Sequence, residues 1–548
     1  MPRLYRVAAA LALLAATGAV AAIPAEIEIE SGRIAGSTGV GPDVRVFKGI
    51  PFAAPPVGAN RWRPPQPVVE WSGVRPAIEY APRCTQGGPG GPSPNAPPTG
   101  EDCLYLNVWT TAESASDGRP VMVWLYGGGF FGGAGSEPRY AGDGLARKGA
   151  VVVTLNYRLG ALGFLAHPEL SAEAQPTRAG MPAVEQRRDA GTDARGRATQ
   201  GAVAEQLPKV SGNYGMLDAI AALRWVQRNI AAFGGDPNNV TVFGESAGAN
   251  LTNALVASPV AAGYFHRAIA QSGGFMGMGM ARTGTLARAE EAGAKALADA
   301  GFGSIADARA KPAAEVFAAI RGGGLVVDGY LIPEDLSLTF TNGRQNPVDL
   351  MIGSNKDEGT FFARPGLTAE AFKTQARQRF GVLADEFLKL FPAADDAQAS
   401  QSYLASFSDE AAWAMRTGAK LQARRGNTAY VYYFTRIPPS PPDRPSRGAT
   451  HVAEIPYMFN NLAEGTVPWT ETDRQLADTM SSYWVNFARS GDPNGPGLPA
   501  WPAYRDATGK AQDLGDTVAT QMNSVPVAAT LKFFDSAYQQ LLKGGANQ

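Results

Sequence analysis

The sequence predicts an α/β fold in which a mostly parallel sheet is flanked by helices. Short runs of apolar, strand-forming residues recur at Val121–Tyr126, Val151–Tyr157 and Val240–Phe243. Apolar residues have helical spacing over Tyr214–Ala232, before the third run, and Ala249–Ser258 behind that run also has the composition of a helix. Strands alternating with helices are typical of doubly wound parallel sheets. With 548 residues, 45% of them apolar, the chain is long enough to bury a large core.

The first 21 residues have the features of an export signal. Arg3 and Arg6 supply a positive start, Val7–Ala16 an apolar stretch, and Ala19-Val20-Ala21 a small-residue cleavage site. The apolar stretch is short for a membrane span, so we expect cleavage, no stable membrane anchor, and a secreted or periplasmic protein. Residues 22–548 are expected to form a single domain, because no long linker or break in composition divides them.

The chain contains two cysteines, Cys84 and Cys103, with 18 residues between them. An exported protein meets an oxidising compartment, where one disulfide closing this loop is the simplest interpretation and two free thiols are less expected. In the loop-entropy model such a closure stabilises the fold by about 3 kcal/mol.

Other elements are predicted along the chain. Glu26–Glu30 and Val44–Lys48 have the composition of strands, and the proline-rich stretch Pro51–Pro67 is expected to be extended surface chain. Val348–Ile352 and Ala429–Phe434 are later strand candidates.

A nucleophilic serine is indicated by Gly244-Glu245-Ser246-Ala247-Gly248, the only G-x-S-x-G of the chain. A predicted strand precedes it and a predicted helix follows, which is the context of the nucleophile elbow of α/β-hydrolases. The glycines permit a turn tight enough to expose the Ser246 hydroxyl at the edge of the sheet. A plain tight turn is the alternative.

A serine hydroxyl needs a neighbouring base, and the chain has three histidines. In α/β-hydrolases the chain order is serine, acid, histidine, so His167, which precedes Ser246, is disfavoured. His266 follows Ser246 by only twenty residues, in a stretch (Tyr264–Ala270) expected to be helical and structural. His451 remains as the candidate base.

The acid is expected in a loop that follows a strand between Ser246 and His451. The strand candidate Val348–Ile352 is followed by Gly353–Gly359, which contains Asp357 and Glu358. The acid would hold the imidazole tautomer and stabilise the imidazolium. Spacing does not choose between the two residues, and either is also compatible with a solvated surface charge.

Donors for a developing oxyanion are expected in Gly127-Gly128-Gly129-Phe130, directly after the strand at 121–126. Glycines allow backbone N–H groups to face a ligand, and Ala247, after the nucleophile, would add another. The stretch also matches the dinucleotide motif G-x-G-x-x-G through Gly132, but the next strand ends without the ribose-binding acid that motif requires.

No cofactor, metal or nucleic acid is predicted. The sequence has neither H-E-x-x-H nor C-x-x-C, and its histidines are far apart. The net charge is −1, and no basic stretch is interleaved with aromatic residues. The expected partner is a small molecule.

The chain resembles the type-B carboxylesterases, which include the cholinesterases. The resemblance covers about residues 26–540 and is carried by Glu101–Asn107 and Phe243–Gly248, with support from Gly212–Asp218, Gly234–Pro237, His451–Tyr457 and Trp484–Ala488. It implies an α/β-hydrolase fold, a Ser246–Glu358–His451 triad, oxyanion donors at Gly128, Gly129 and Ala247, and a Cys84–Cys103 disulfide. It also implies ester hydrolysis through an acyl-enzyme.

The sequence departs from the cholinesterases in one respect that concerns the substrate. Those enzymes carry a tryptophan inside the first disulfide loop that stacks on quaternary ammonium, whereas Thr85–Asp102 contains no aromatic residue. Choline esters are therefore not expected as preferred substrates. Similar proteins act on alkyl, aryl and xenobiotic esters and on bulky polyesters such as fumonisins. A lipase, amidase or acyltransferase of the same mechanism, or a non-catalytic neuroligin-like binding module, are the alternatives, and such modules lack a full triad.

A polar segment, Glu173–Lys209, exceeds the length expected of the family. It is rich in Ala, Gly, Gln and Arg, and five Arg and one Lys oppose five acids. Without apolar periodicity it buries little surface, so we expect a mobile insertion near the active-site mouth that tunes substrate access. A surface loop remote from the site is the alternative.

Overall fold

The computed structural model describes residues 22–87, 95–173, 210–274, 283–441, 444–462, 467–505, 509–522 and 528–545. The expected export signal, residues 1–21, lies outside the described residues. So does the expected insertion, apart from Glu173. Among the helices of the described ranges, none has the length and apolar character needed to cross a membrane.

The strands in chain order are β1 (Glu26–Ile29), β2 (Gly32–Ala35), β3 (Ser37–Gly39), β4 (Gly41–Pro51), β5 (Val74–Pro76), β6 (Arg83–Cys84), β7 (Thr99–Gly100), β8 (Tyr105–Thr110), β9 (Arg119–Leu125), β10 (Val151–Leu155), β11 (Gly235–Glu245), β12 (Arg267–Gln271), β13 (Gly284–Thr285), β14 (Val326–Val327), β15 (Asp349–Asn355), β16 (Ala429–Phe434), β17 (Lys510–Leu514) and β18 (Val518–Met522).

The α-helices are α1 (Asp143–Arg147), α2 (Gly160–Phe164), α3 (Pro168–Glu173), α4 (Tyr214–Asn229), α5 (Ala247–Ala257), α6 (Leu286–Asp299), α7 (Ile305–Arg309), α8 (Ala313–Ala319), α9 (Leu336–Thr341), α10 (Ala369–Phe380), α11 (Ala384–Leu390), α12 (Asp396–Arg424), α13 (Ile455–Met458), α14 (Glu471–Ser490) and α15 (Ala528–Gly545).

One large sheet organises the molecule. It has eleven strands in the order β18-β17-β16-β15-β12-β11-β9-β10-β8-β4-β3. The seven strands from β17 to β10 run parallel, while β18 at one edge and β8, β4 and β3 at the other are antiparallel. Helix α5 packs on β11 and β12, α12 on β15 and β16, and α14 on β9 and β11. The predicted α/β-hydrolase fold is confirmed.

The parallel strands are mostly buried, which explains their sequence pattern. Every residue of β10 and β16 is buried, and in β9 only Arg119 is partly exposed. Strands covered on both faces have continuous apolar runs without alternation, as at Val121–Tyr126.

The prediction of a helix around His266 is wrong. Residues 267–271 form β12, which pairs in parallel with β11 on one side and β15 on the other. A short apolar run that is buried on both sides has no alternation, so periodicity does not separate it from a helical segment.

Candidate active site

The carboxyl ends of four parallel strands meet at the candidate site. The glycine-rich stretch follows β9, Ser246 follows β11, Glu358 lies three residues after β15, and the chain after β16 leads to His451. In open α/β sheets this edge is where ligands bind, because the connecting loops there surround a crevice.

Ser246 sits in a sharp turn between β11 and α5. Its φ of 55° and ψ of −122° are sparsely populated for a residue with a side chain. The turn is held because the Ser246 N–H donates to the carbonyl of Gln271 at 2.9 Å. A Cβ at Gly248 would lie 1.9 Å from the carbonyl oxygen of Leu125, so this glycine of the motif is required by the close approach to β9.

Glu358 lies against His451. Oε2 of Glu358 is 2.5 Å from Nδ1 of His451, and its Oε1 accepts a hydrogen bond from the Asn355 N–H at 2.8 Å. Both side chains are buried. Oε1 is thus fixed by the backbone, while Oε2 contacts the imidazole.

Asp357 has a different position. Its Oδ2 accepts a hydrogen bond from the Ala449 N–H at 2.7 Å, and its own N–H donates to the Ala449 carbonyl at 2.9 Å. Asp357 therefore joins the loop after β15 to the segment that leads to His451. Of the two acids that spacing left open, the structure places Glu358 at the imidazole.

The other two histidines serve local backbone structure. Nδ1 of His167 accepts a hydrogen bond from the Glu169 N–H at 3.1 Å, at the start of α3. Nδ1 of His266 accepts one from the Val240 N–H at 3.1 Å. Burial and the neighbouring Arg267 lower the pKa of His266, which fits a neutral acceptor.

Two further buried carboxyls, which sequence reasoning did not assign, lie near His451. Oε1 of Glu245, the residue that precedes Ser246, is 3.1 Å from Nε2 of His451. Glu454 accepts hydrogen bonds from Gln271 Nε2 at 3.0 Å and Asn355 Nδ2 at 2.6 Å. Both glutamates stand inside segments that carry the family resemblance, which was the available signal.

This crowding changes the protonation of the cluster. Burial raises the pKa of the Glu245 carboxyl to about 8, against the attraction of His451. Burial lowers the pKa of His451, but the negative charges of Glu245 and Glu358 outweigh it and raise that pKa to about 9. Burial also raises the pKa of Glu454. An imidazole in this setting holds a proton more firmly than in water.

The glycine-rich stretch, residues 127–133, forms a loop beside the serine that we call the oxyanion loop. A Cβ at Gly127 would lie 3.0 Å from Cβ of Ser246. Gly128 and Gly129 have φ of 114° and 65° and are exposed. Within the described part of the chain their N–H groups have no acceptor, so both are free for a ligand oxygen. Ala247 is the first residue of α5, where N–H groups have no intrahelical partner.

Aromatic rings line the candidate site. The rings of Phe361 and Phe362 lie 5.2 and 5.1 Å from the imidazole of His451, and Phe407 lies 4.4 Å from Phe362. Phe361 is 47% exposed, and Phe131 of the oxyanion loop is 38% exposed. These exposed rings offer an apolar surface to the non-reacting part of a ligand.

The predicted disulfide joins Cys84 to Cys103, with the sulfur atoms 2.07 Å apart. Its loop is stabilised further by Arg61, whose Nε and Nη2 bind both carboxylate oxygens of Glu101. Across the described residues there is no group of three or more His, Cys, Asp or Glu side chains arranged to hold a metal.

Known proteins that resemble this chain belong to one family. The sequence profile of the carboxylesterase family matches residues 24–174 and 201–534. The fumonisin B1 esterase of Sphingopyxis macrogoltabida is 38% identical over 515 residues, covering 90% of this chain and 86% of that protein. The para-nitrobenzyl esterase of Bacillus subtilis is 32% identical over 515 residues, covering 88% of this chain and 93% of the relative.

Solved structures agree with these relatives. A thermophilic para-nitrobenzyl esterase superimposes with a TM-score of 0.77 at 30% identity, over 93% of this chain and 99% of its own. A carboxylesterase of Geobacillus stearothermophilus does so with a TM-score of 0.75 at 31% identity, over 94% of this chain and 100% of its own.

Proposed function

The chain belongs to the carboxylesterase family and is a carboxylic-ester hydrolase, and we propose that it acts through an acyl-enzyme formed on Ser246. The contact of Glu358 with the imidazole of His451 carries this proposal, because it fixes one ring nitrogen and leaves the other beside Glu245, the residue that precedes Ser246. A serine activated by an oriented histidine is the arrangement that acyl transfer requires.

The proposed reaction has two halves. In the first, Nε2 of His451 takes the proton of the Ser246 hydroxyl as its oxygen attacks the ester carbonyl. The N–H groups of Gly128, Gly129 and Ala247 receive the oxyanion, and Glu358 stabilises the imidazolium. His451 then returns the proton to the departing alcohol. In the second half a water molecule attacks the acyl-enzyme by the same route, releasing the acid and restoring Ser246.

We expect the substrates to be carboxylic esters with an apolar portion. The exposed rings of Phe131 and Phe361 flank the reacting groups, whereas Thr85–Asp102 offers no aromatic ring for a quaternary ammonium. The relative that is named a fumonisin B1 esterase makes fumonisin-type polycarboxylate esters the bulky substrates to test first.

Replacing the nucleophile tests the proposal. Ser246→Ala should lower kcat by several orders of magnitude, because a triad loses nearly all of its effect with any one member. Hydrolysis is measured on p-nitrophenyl esters of increasing acyl length, on acetylcholine and on fumonisin B1. The matched control is Ser258→Ala, a buried serine at the other end of α5. Near-wild-type hydrolysis by Ser246→Ala would reject the triad.

We also propose that residues 1–21 are removed on export, leaving a periplasmic or extracellular enzyme. The support is the sequence of that segment and the disulfide, a bond favoured in oxidising compartments. N-terminal sequencing of the protein from the producing cell tests it, and a retained Arg3 would contradict it.

A further inference from the structure

The oxyanion loop is closed by its own backbone but has few side chains to hold it in place. The carbonyl of Gly128 accepts hydrogen bonds from the N–H groups of Phe131, at 3.0 Å, and Gly132, at 3.2 Å. A Cβ at Gly128 would lie 2.1 Å from the carbonyl oxygen of Gly132. A turn this rich in glycine is intrinsically loose, so the placement of its donors depends on contacts from outside.

Gln86, two residues after Cys84, hydrogen-bonds the end of the oxyanion loop through both atoms of its amide group. Its Oε1 accepts a hydrogen bond from the Gly133 N–H at 3.0 Å, and its Nε2 donates to the Gly133 carbonyl at 3.0 Å. The same Nε2 donates to the carbonyl of Cys84 at 3.0 Å. One side chain thus joins the loop to the first cysteine of the disulfide.

Asn156 connects the chain just after the oxyanion loop to the second cysteine. Its Oδ1 accepts a hydrogen bond from the Gly135 N–H at 3.0 Å. Its Nδ2 donates to the carbonyl of Cys103 at 3.2 Å and to that of Pro82 at 3.1 Å. Asn156 is buried, so these bonds are shielded from competing water.

We propose that Gln86 and Asn156 are positioning residues for ester hydrolysis. They transmit the geometry fixed by the Cys84–Cys103 disulfide to the N–H groups of Gly128 and Gly129. The inference rests on the proposed function, since it matters only where these groups receive an oxyanion. Donors of this kind act through preorganisation, so a small displacement weakens binding of the transition state more than binding of the ester.

Gln86→Met tests the proposal, because methionine keeps the length of the side chain and removes its hydrogen bonds. We expect kcat to fall about 10-fold to 100-fold, while KM changes less than about 2-fold. A trifluoromethyl ketone, which forms a tetrahedral adduct with the serine, should lose affinity by the same factor as kcat/KM. End-point labelling with a fluorophosphonate should remain stoichiometric, which shows that the nucleophile is intact.

Gln227→Met is the matched control. Gln227 is also half-buried, and its Nε2 donates to the carbonyls of Pro237 at 2.7 Å and Tyr264 at 3.1 Å. These residues lie toward the amino end of β11, opposite the serine. The control should share any loss of thermal stability but keep kcat and the affinity for the ketone.

A double-mutant cycle tests whether the disulfide acts on kcat through Gln86. Cys84→Ala combined with Cys103→Ala should lower kcat, and adding Gln86→Met in that background should lower it by much less than in the wild type. Two losses that multiply would show that Gln86 and the disulfide act independently, and would overturn the connection. If the cysteine variant does not fold, a cycle of Gln86→Met with Asn156→Leu tests whether the two side chains act together, and losses that multiply would overturn their joint role.

An unchanged kcat or an unchanged ketone affinity in Gln86→Met would overturn the proposal, as would a kcat loss shared by the control. These outcomes differ from failure of the proposed function. That failure appears as hydrolysis that survives Ser246→Ala, whereas the positioning role can fail while Ser246→Ala remains inactive.

Discussion

Two neighbouring acids carry different tasks because the loop after β15 turns between them. Glu358 points its carboxylate at His451, and Asp357 binds the backbone at Ala449. Glu358→Gln should therefore lower kcat/KM by about 10⁴-fold, since an amide does not stabilise the imidazolium and favours the wrong tautomer. Asp357→Asn retains an acceptor for the Ala449 N–H and should cost less than about 10-fold. Hydrolysis of a p-nitrophenyl ester at fixed pH measures both, and the reverse ranking would move the acid to Asp357.

The pH dependence of the enzyme should report the carboxyls around His451. The base works only when neutral, and nearby negative charge raises the pKa of His451, so the acid limb of kcat/KM should lie above the ordinary histidine value of 6.5. Glu245→Gln removes a charge 3.1 Å from Nε2, which lowers this pKa and should move the limb down by roughly one pH unit or more.

The control for this shift is Glu471→Gln, which changes an exposed glutamate at the start of α14. It should leave the pH profile unchanged. An unmoved acid limb in Glu245→Gln would mean that Glu245 is already protonated when His451 titrates, contrary to the expected charge interaction.

The residues of the candidate site could be predicted from the sequence where the signal is local. Ser246 is marked by the residues on either side of it, and His451 follows from elimination among three histidines. The acid was not fixed by spacing, because which carboxylate meets His451 depends on a loop that approaches from 93 residues away in the chain. Glu245, Gln86 and Asn156 were missed for the same reason, since their roles exist only through tertiary contacts.

At the scale of elements, the strands with long apolar runs were predicted within a few residues. The prediction for Ala429–Phe434 coincides with β16, and Val348–Ile352 is displaced by one residue from the start of β15. Helix α4 ends at Asn229, before the predicted Ala232, because residues 230–233 tighten into a 3₁₀ turn. Strand β12 was missed because it is short and buried on both sides.

A buried ion pair joins two of these elements and allows a stability test. Asp218 of α4 accepts hydrogen bonds from the backbone N–H, Nε and Nη2 of Arg158, which follows β10, and both side chains are buried. Asp218→Asn leaves an uncompensated buried charge and should lower the free energy of unfolding by about 3–5 kcal/mol. Urea unfolding measures the loss. The exposed pair of Arg228 with Glu30 is the control, and Glu30→Gln should cost less than about 1 kcal/mol. Equal effects would contradict this ranking.

At the scale of the whole molecule, one sheet gathers its strands from distant parts of the chain. The eleven strands run from Ser37 to Met522, and the reacting groups are collected at the carboxyl edge of its parallel part. A site assembled in this way tolerates extra residues between elements when the ends of the added segment stay close together.

The polar segment after α3 meets this condition. The Ser211 hydroxyl accepts hydrogen bonds from the His167 N–H at 2.9 Å and the Ser171 hydroxyl at 2.8 Å, so the chain before residue 174 and the chain after residue 209 are held side by side. The match to the carboxylesterase family omits residues 175–200. These observations support the proposal that the segment is an addition to the domain and not part of its core.

Excision of residues 175–200 should therefore leave a folded enzyme. We expect an unchanged melting temperature within a few degrees, and kcat/KM for a small p-nitrophenyl ester within about 3-fold of the full-length chain, because the described contacts that join Ser211 to α3 remain. Thermal unfolding and steady-state kinetics measure these quantities, and an insoluble or inactive product would show that the segment belongs to the fold. The expectation that it tunes substrate access is tested in the same variant with a bulky polycarboxylate ester. A changed ratio of bulky to small ester efficiency would support that role, and an unchanged ratio would leave the segment without influence on access.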